Sequence, residues 1–497
     1  MLFVLISCVL LVFIFWKLMK RQTLWRQRNV TQGTAIPIFG DSWKTFLKQE
    51  SFVEMVQRKY NEFPSARYTG IYRMSFPTLM IRDPELITRI AIKDFDHFTD
   101  HRTFFSDQAD PLWNKNLFSL RGEKWKEMRA ILSPVFTGSK MRLMFDLMKA
   151  CSDQFVAHFL ERSDVVLEVS DAFTRFANDV IASCAFGVKC DSLKQPENEF
   201  YAMGKDATDF STLSRKFKIF FFFLVPNISK KFKFSIFSRK VGDFFKGLVK
   251  ENIEMREVNG IKRNDLINLL MEARKKELSH EDITAQALVF FFAGFDSVST
   301  LMSFLAYELA LNPEVQDKLR DEIDETLISC KGNLRYEDLQ SMKYLDMVIA
   351  ETLRKWPSTF VVDRVCVKPY TIPALEKSES DLHLNAGDVL WLPIFGIQRD
   401  PNYYTDPERF DPERFNDENK GRIGTSTYIP FGLGPRNCIG SRFALLETKL
   451  LFIQILSNFK IEVDAETTVP LKLDRHKFGI TSEGGFWLGF KSRRRSK

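Results

Sequence analysis

Residues 1–16, MLFVLISCVLLVFIFW, carry no charge, and Leu18 and Met19 extend the apolar run past Lys17. A membrane span wants about 20 apolar residues and accepts about 17, and the Lys17 stem can lie along apolar surface. The run is apolar all round, unlike an amphipathic core helix, and it lacks the positive start and small-residue cleavage site of a signal peptide. It predicts a membrane-anchor helix over 1–19. A basic, turn-rich linker follows over 20–40, with Pro37 and Gly40. Beyond it, 41–497 holds no Gly/Ser-rich linker and no internal repeat. A helix is expected from about Gly122, with Trp125 and Arg129 one turn apart. Another opens on a box-like Ser279-x-x-Asp282 and runs apolar until Pro313, about 30 residues or roughly 45 Å, enough to cross a domain. A third covers about 343–355 and ends at Trp356-Pro357. A fourth follows Gly440. Strand-like pieces are few, TLMIR near 78–82 and DVLWLPIF near 388–395, so the chain reads as mainly α with a minor β part. The most apolar internal run, FKIFFFFLVP at 217–226, is too short to span a bilayer. It is rimmed by Arg215, Lys216, Lys218, Lys230, Lys231 and Lys233. A loop dipping into a membrane interface and a core helix beside a solvated charge run both fit it.

Length alone, 497 residues, suggests about three domains. The content of 45% hydrophobic and 27% charged residues excludes wholesale disorder. The net charge of +7 is concentrated at two places: Lys17, Lys20, Arg21, Arg26 and Arg28, then Lys491, Arg493, Arg494, Arg495 and Lys497. Removing those ten bases leaves 61 against 64 acids, so the body is nearly neutral and no nucleic-acid partner is expected. Bases following the apolar run place the body on the cytoplasmic side. Seven scattered Cys without a C-x-x-C argue against a disulfide framework or structural zinc. Phe is over-used, with 48 copies against 11 Tyr and 8 Trp.

One cysteine stands in a glycine-rich turn running into a helix: Phe431-Gly432-Leu433-Gly434-Pro435-Arg436-Asn437-Cys438-Ile439-Gly440. Backbone N–H groups and the helix N-terminus favour a thiolate there. Gly434 permits positive φ, Gly440 allows a flat ligand close to the backbone, and Arg436 offers a fork for a carboxylate. In the long helix, Gly294, Asp296 and Ser297 interrupt an apolar stretch, and three such exceptions together suggest function. Ser297 can bond back to the helix carbonyls and loosen the turn, leaving a gap beside the helix.

The spacing F-x-x-G-x-R-x-C-x-G resembles the haem-binding loop of the cytochrome P450 family, the haem-thiolate monooxygenases. Glu351-Thr352-Leu353-Arg354 is similar to the family's E-x-x-R, Phe410-Asp411-Pro412-Glu413-Arg414-Phe415 to its F-x-P-E-R-F, and Ala293-Gly294-Phe295-Asp296-Ser297 to its A-G-x-D/E-T. The resemblance covers essentially the whole chain and replaces the three-domain expectation by one catalytic domain over 41–497. It implies haem b, with Cys438 as axial thiolate under Phe431, and Trp125, Arg129, Arg364 and Arg436 at the propionates. W-x-x-x-R alone would also fit an ordinary surface helix. Glu351, Arg354 and Arg414 become a buried structural triad. Asp296 and Ser297 become the proton relay, with Ser where the family usually has Thr. Pocket candidates by family position are Phe104, Phe105, the Phe217–Phe223 run, Phe291, Phe292, Phe295, Phe360, Val361, Val362 and Phe478, a lining suited to bulky apolar substrates.

No flavin or nicotinamide fingerprint is present. The resemblance therefore implies electrons from NADPH through a separate flavoprotein reductase, with cytochrome b5 as a further candidate donor. Lys124, Lys126, Arg442 and Lys449 are candidate docking bases; scattered solvated charge is the plain alternative. His97 and His101, at i,i+4 without a third ligand, read as a surface pair rather than a metal site. Asp110-Pro111-Leu112 and Asn116-Leu117-Phe118 resemble insect microsomal detoxification members. The expectation is an enzyme anchored in the endoplasmic reticulum membrane and facing the cytoplasm. It would oxygenate lipophilic xenobiotics such as insecticides and plant toxins; a dedicated hydroxylase of an endogenous lipid or hormone is the alternative.

Overall fold

The computed structural model describes residues 5, 22–74, 76–102, 110–161, 164–209, 212, 214, 215, 217, 218, 235, 237–273, 278–375 and 379–493. All of the expected anchor over 1–19 except residue 5, together with Phe104, Phe105, nearly all of the Phe217–Phe223 run and the last four residues, lies outside them.

The longer helices and the strands follow in chain order: α1 Phe52–Asn61, β1 Tyr68–Arg73, β2 Phe76–Ile81, α2 Gly122–Leu132, α3 Gly138–Leu160, β3 Asp164–Glu168, α4 Val169–Ile181 and α5 Glu199–Thr208. Next come α6 Arg239–Asn259, α7 Leu266–Ala273, α8 His280–Leu311, α9 Pro313–Ser329, α10 Lys343–Lys355, β4 Val362–Val365, β5 Tyr370–Ile372, β6 Leu382–Leu384 and β7 Val389–Leu392. The chain closes with α11 Ser441–Asn458, β8 Phe459–Val463 and β9 Trp487–Ser492. Helices dominate, as the hydrophobic periods predict.

The organising element is α8. Ser279 and Asp282 form the reciprocal capping box that starts it. Asn312 ends it, and Pro313 takes the first position of α9, where its missing N–H costs nothing. Among the described residues α8 is the helix long and apolar enough to cross a bilayer, yet it packs in the interior against α4, α6 and α10. A Cβ on Gly294 would lie 2.9 Å from Ile181 Cδ1. The missing side chain therefore admits Ile181 of α4.

Three small sheets flank the helices. The first has the order β1-β2-β7-β4, the second β3-β9-β8, the third β5-β6. β1 and β2 form a hairpin with Arg73 opposite Phe76, β2 runs parallel to β7, and β4 returns antiparallel with Asp363 opposite Trp391. The stretch 388–395 divides at Pro393, so its second half becomes a helical turn, Ile394–Ile397.

Glu447 on α11 is fully buried, and neither carboxylate oxygen has a hydrogen-bond partner among the described residues. Burial raises its pKa well above the ordinary carboxylate range. A carboxyl raised in this way contributes stability that is full below its unfolded pKa, about 4.3, and is lost as pH climbs through the folded value. Glu447→Gln removes the titration. Urea midpoints taken between about pH 5 and pH 8 should fall in the native chain and stay flatter in the variant; parallel profiles would refute this reading.

Candidate functional site

The cysteine turn is shaped by its glycines. Gly432 and Gly434 have φ of 76° and 75°, and a Cβ at Gly434 would strike the Ala91 carbonyl oxygen at 1.8 Å. The Cys438 N–H donates to Phe431 O at 2.8 Å, closing the turn at the start of α11. Cys438 keeps exposed surface, yet burial raises its thiol pKa against the pull of the Gly440 N–H and Arg129. Open surface combined with desolvation means an interior cavity.

A corresponding face appears on α8. Ala293, Asp296 and Ser297 are exposed in the middle of a helix whose neighbouring turns are buried. Burial raises the Asp296 pKa, and Lys477 opposes the rise. Ser297 Oγ donates to Ala293 O at 2.6 Å, the back-bond expected from sequence, and the helix continues through it. Ser358, which sequence reasoning missed, donates from Oγ to Ser297 O at 2.8 Å and ties this turn to the segment after α10. Its only signal was its place just beyond the E-x-x-R helix.

Cations converge on the same region. Arg364 is fully buried, and its Nε and Nη2 have no hydrogen-bond partner among the described residues. Burial lowers its pKa to about 10 despite Asp363. Arg129 donates to Asn437 O at 3.0 Å and Oδ1 at 2.8 Å, one residue from the cysteine. Trp125 is buried, with the Arg436 guanidinium 4.3 Å from its ring centre. Arg436 itself is turned to backbone, through Nε to Thr99 O at 2.7 Å, Nη1 to Leu117 O and Phe118 O at 3.3 Å each, and Nη2 to Leu120 O at 2.6 Å. The fork expected to face a carboxylate thus chiefly clamps the 99–120 segment to the cysteine turn.

Behind the turn, Arg354 Nη2 and Nε meet Glu351 at 2.7 and 2.9 Å, both residues fully buried. Arg414 approaches Glu351 at 3.4 Å and spends its other donors on Thr405 O and Asp406 O.

Several expected pocket residues are core instead. Phe291 packs on Phe186, Phe200, Phe245 and Phe295, and Phe295 on Tyr201. They lie on the side of α8 away from Ala293 and Ser297, because two residues rotate a helix by about 200°. Phe292 is partly exposed, edge-on to Trp113; Val361 is partly exposed, Phe360 buried, and Phe478 63% exposed on the loop before β9. His101 is not a surface residue: its Nδ1 lies 3.0 Å from Asp363 Oδ1, and its side chain is buried. Lys449 is also buried, paired with Asp346 at 2.6 Å, so it cannot face a partner; Lys124, Lys126 and Arg442 are exposed.

The residues present fit haem. An exposed cysteine in a glycine turn could hold the iron as a thiolate, and the two orphaned N–H donors of buried Arg364 suit a propionate. Fold and site thus define a cysteine-ligated haem enzyme. A family model described as Cytochrome P450 matches residues 31–488. The chain is 43% identical to cytochrome P450 9e2 of Blattella germanica, over 94% of this chain and 93% of the relative. It is 41% identical to probable cytochrome P450 9f2 of Drosophila melanogaster, over 93% and 94%. It is 33% identical to cytochrome P450 6k1 of Blattella germanica, over 95% and 93%. The chain belongs to the cytochrome P450 family, and it is a haem-thiolate monooxygenase that draws NADPH-derived electrons through a reductase.

Glu351→Ala strands the Arg354 guanidinium in the core. The loss should be about 3–5 kcal/mol, read as a fall in the urea midpoint; a loss below about 1 kcal/mol would show that Arg354's bonds to backbone carbonyls suffice.

Proposed function

We propose that the chain is a monooxygenase anchored in the endoplasmic reticulum membrane through residues 1–19, with its body toward the cytoplasm, and that it oxygenates lipophilic xenobiotics. The observation that carries this reading is that Cys438 on its glycine turn and Asp296 on α8 each keep exposed surface while burial raises their pKa values. Haem bound there supplies the activation of dioxygen.

Cys438 would hold the haem iron through its thiolate, with Phe431 beside it in the turn. The orphaned N–H donors of Arg364 would pair with a propionate. Arg129 and Trp125 would help hold the propionates, and Arg436 would contribute charge while its bonds fix the turn. Asp296, whose pKa burial raises, carries protons at its carboxyl, and the Ser297 hydroxyl beside it passes them on. The Ser297 back-bond to Ala293 O orients that hydroxyl. Phe292, Phe360, Val361 and Phe478 give the cavity an apolar wall, which supports bulky, water-insoluble substrates. Exposed Lys124, Lys126 and Arg442 are the candidate contacts for the reductase, and cytochrome b5 is a further candidate for that surface. The rival reading, one endogenous lipid or hormone, differs in substrate breadth.

Cys438→Ser should abolish the red-shifted Soret band that marks a thiolate-bound ferrous carbonyl haem; a variant that keeps the band would remove Cys438 from the iron. Asp296→Asn should slow product formation by roughly a hundredfold while leaving that band in place. Ser297→Thr restores a methyl that fixes the rotamer and should lower the peroxide released per NADPH consumed; an unchanged ratio would sink the serine's part in proton delivery.

A further inference from the structure

The carboxyl of α8 has a neighbour whose part is still unassigned, the tip of the hairpin that precedes β9. Lys472 O accepts the Glu483 N–H at 2.7 Å, Leu473 bridges to Ser482, and the Asp474 N–H donates to Thr481 O at 2.9 Å. These bonds close a hairpin over 472–483, with Asp474, Arg475, His476 and Lys477 at its tip. Asp474 Oδ1 accepts the His476 N–H at 2.7 Å, a side-chain turn that reverses the chain there.

The tip is seated against α8. A Cβ on Gly479 would lie 3.9 Å from Asp296 Oδ2, ordinary van der Waals contact, so the backbone two residues beyond Lys477 rests on the carboxyl. Phe478 fixes that seat by stacking on Phe52 of α1 at 5.0 Å and meeting Phe360 at 6.4 Å. Lys477 itself is exposed and forms no direct ion pair among the described residues.

The other elements around Asp296 bring no charge that reaches it. α4 sets Ile181 against Gly294, α5 sets Tyr201 against Phe295, and the segment after α10 brings the Ser358 hydroxyl. α8 has no other ionisable side chain from Ile283 to Ala306. Of the charged groups on the hairpin and on every facing element, Lys477 is the one acting on Asp296, and it pulls against the desolvation. A cation near a desolvated carboxyl favours the ionised form. An exposed cation does so through a field that salt weakens.

We infer that Lys477 is a positioning residue for the oxygenation: the hairpin tip holds its ammonium near Asp296, and its charge sets the pH range over which that carboxyl gives up and regains protons. This rests on the reading of Asp296 as proton relay and adds to it a side chain from a distant part of the sequence.

The test is an infrared titration of the Asp296 carboxyl in the full-length, haem-loaded protein in detergent, isolated by subtracting the spectrum of Asp296→Asn. The half-point in Lys477→Gln should lie at least about half a pH unit above that of the native chain. Lys477→Arg keeps the charge and should stay within about a fifth of a unit of native, and Lys477→Glu should lie above the glutamine variant. Salt at about 1 M should raise the native half-point toward that of Lys477→Gln and move the latter little. Product formed per NADPH consumed, measured with the reductase, should fall at high pH as the carboxyl loses its proton. That fall should move upward in Lys477→Gln by the same amount as the half-point. A half-point shared by the native chain and Lys477→Gln would overturn the inference, as would an arginine variant that moves as far as the glutamine one. So would a half-point that moves while the product profile stays fixed. The relay reading itself falls only if Asp296→Asn keeps the native rate. The salt titration needs no variant, and a native half-point indifferent to salt would also overturn the inference.

Discussion

A charge taken out of water must be fully paired, and the Glu351–Arg354 pair imposes that condition on much of the molecule. Both residues sit on α10 with no exposure. The pair satisfies only part of the guanidinium, so Arg354 also draws the carbonyls of Gln398, Pro407 and Arg409, while Glu351 accepts the Asp411 N–H. The 398–411 segment is thereby wrapped around α10. Gln398 transmits the arrangement: its Nε2 donates to Leu353 O and Arg354 O, and its Oε1 accepts the Ile429 N–H two residues before the cysteine turn. The position of Cys438 is set from behind by a hydrogen-bond network with no atom at the reacting face. Arg436 performs the same task from the front by bonding the carbonyls of 99–120.

The helices that organise the site were legible because their signals are local. The Ser279–Asp282 box, the Pro313 stop and the apolar period of 343–355 depend only on neighbours within a few residues. The sheets were mostly invisible, since strands of three to six residues such as β4, β5 and β6 exist through partners distant in sequence. The errors at Phe291 and Phe295 have a particular cause. A helix apolar on every side carries no period, so sequence shows that α8 is buried but not which stripe borders the cavity. The few polar residues were the better guide, because Asp296 and Ser297 mark the cavity face by being tolerated there. Gln398 and Ser358 were missed because an isolated Gln or Ser carries no pattern; their importance comes from the carbonyls they meet in space.

The phenylalanines separate by the same geometry. The Phe186, Phe200, Phe245 and Phe291 set fills the space where α5, α6 and α8 meet, with ring centres 5.2–6.3 Å apart. That is ordinary packing of large apolar groups. The Phe52, Phe360 and Phe478 set runs from the core outward, with Phe52 and Phe360 buried and Phe478 exposed. The same residue type closes the core in one place and reaches the surface in another.

Buried acids show why neighbours decide the reading. Asp296 and Glu447 are both raised by burial, and a shift alone would nominate either as a proton donor. Glu447 has no exposed surface, and no cation acts on it among the described residues, so a proton leaving it has no path and its ionisation bears on stability alone. Asp296 keeps exposed surface on the cavity side of α8, adjoins Ser297, and is drawn back toward ionisation by Lys477. A carboxyl with opposing influences on its proton, an open face and a hydroxyl beside it can give up a proton and regain it. The opposing influence on Asp296, more than its burial, makes it the candidate for turnover.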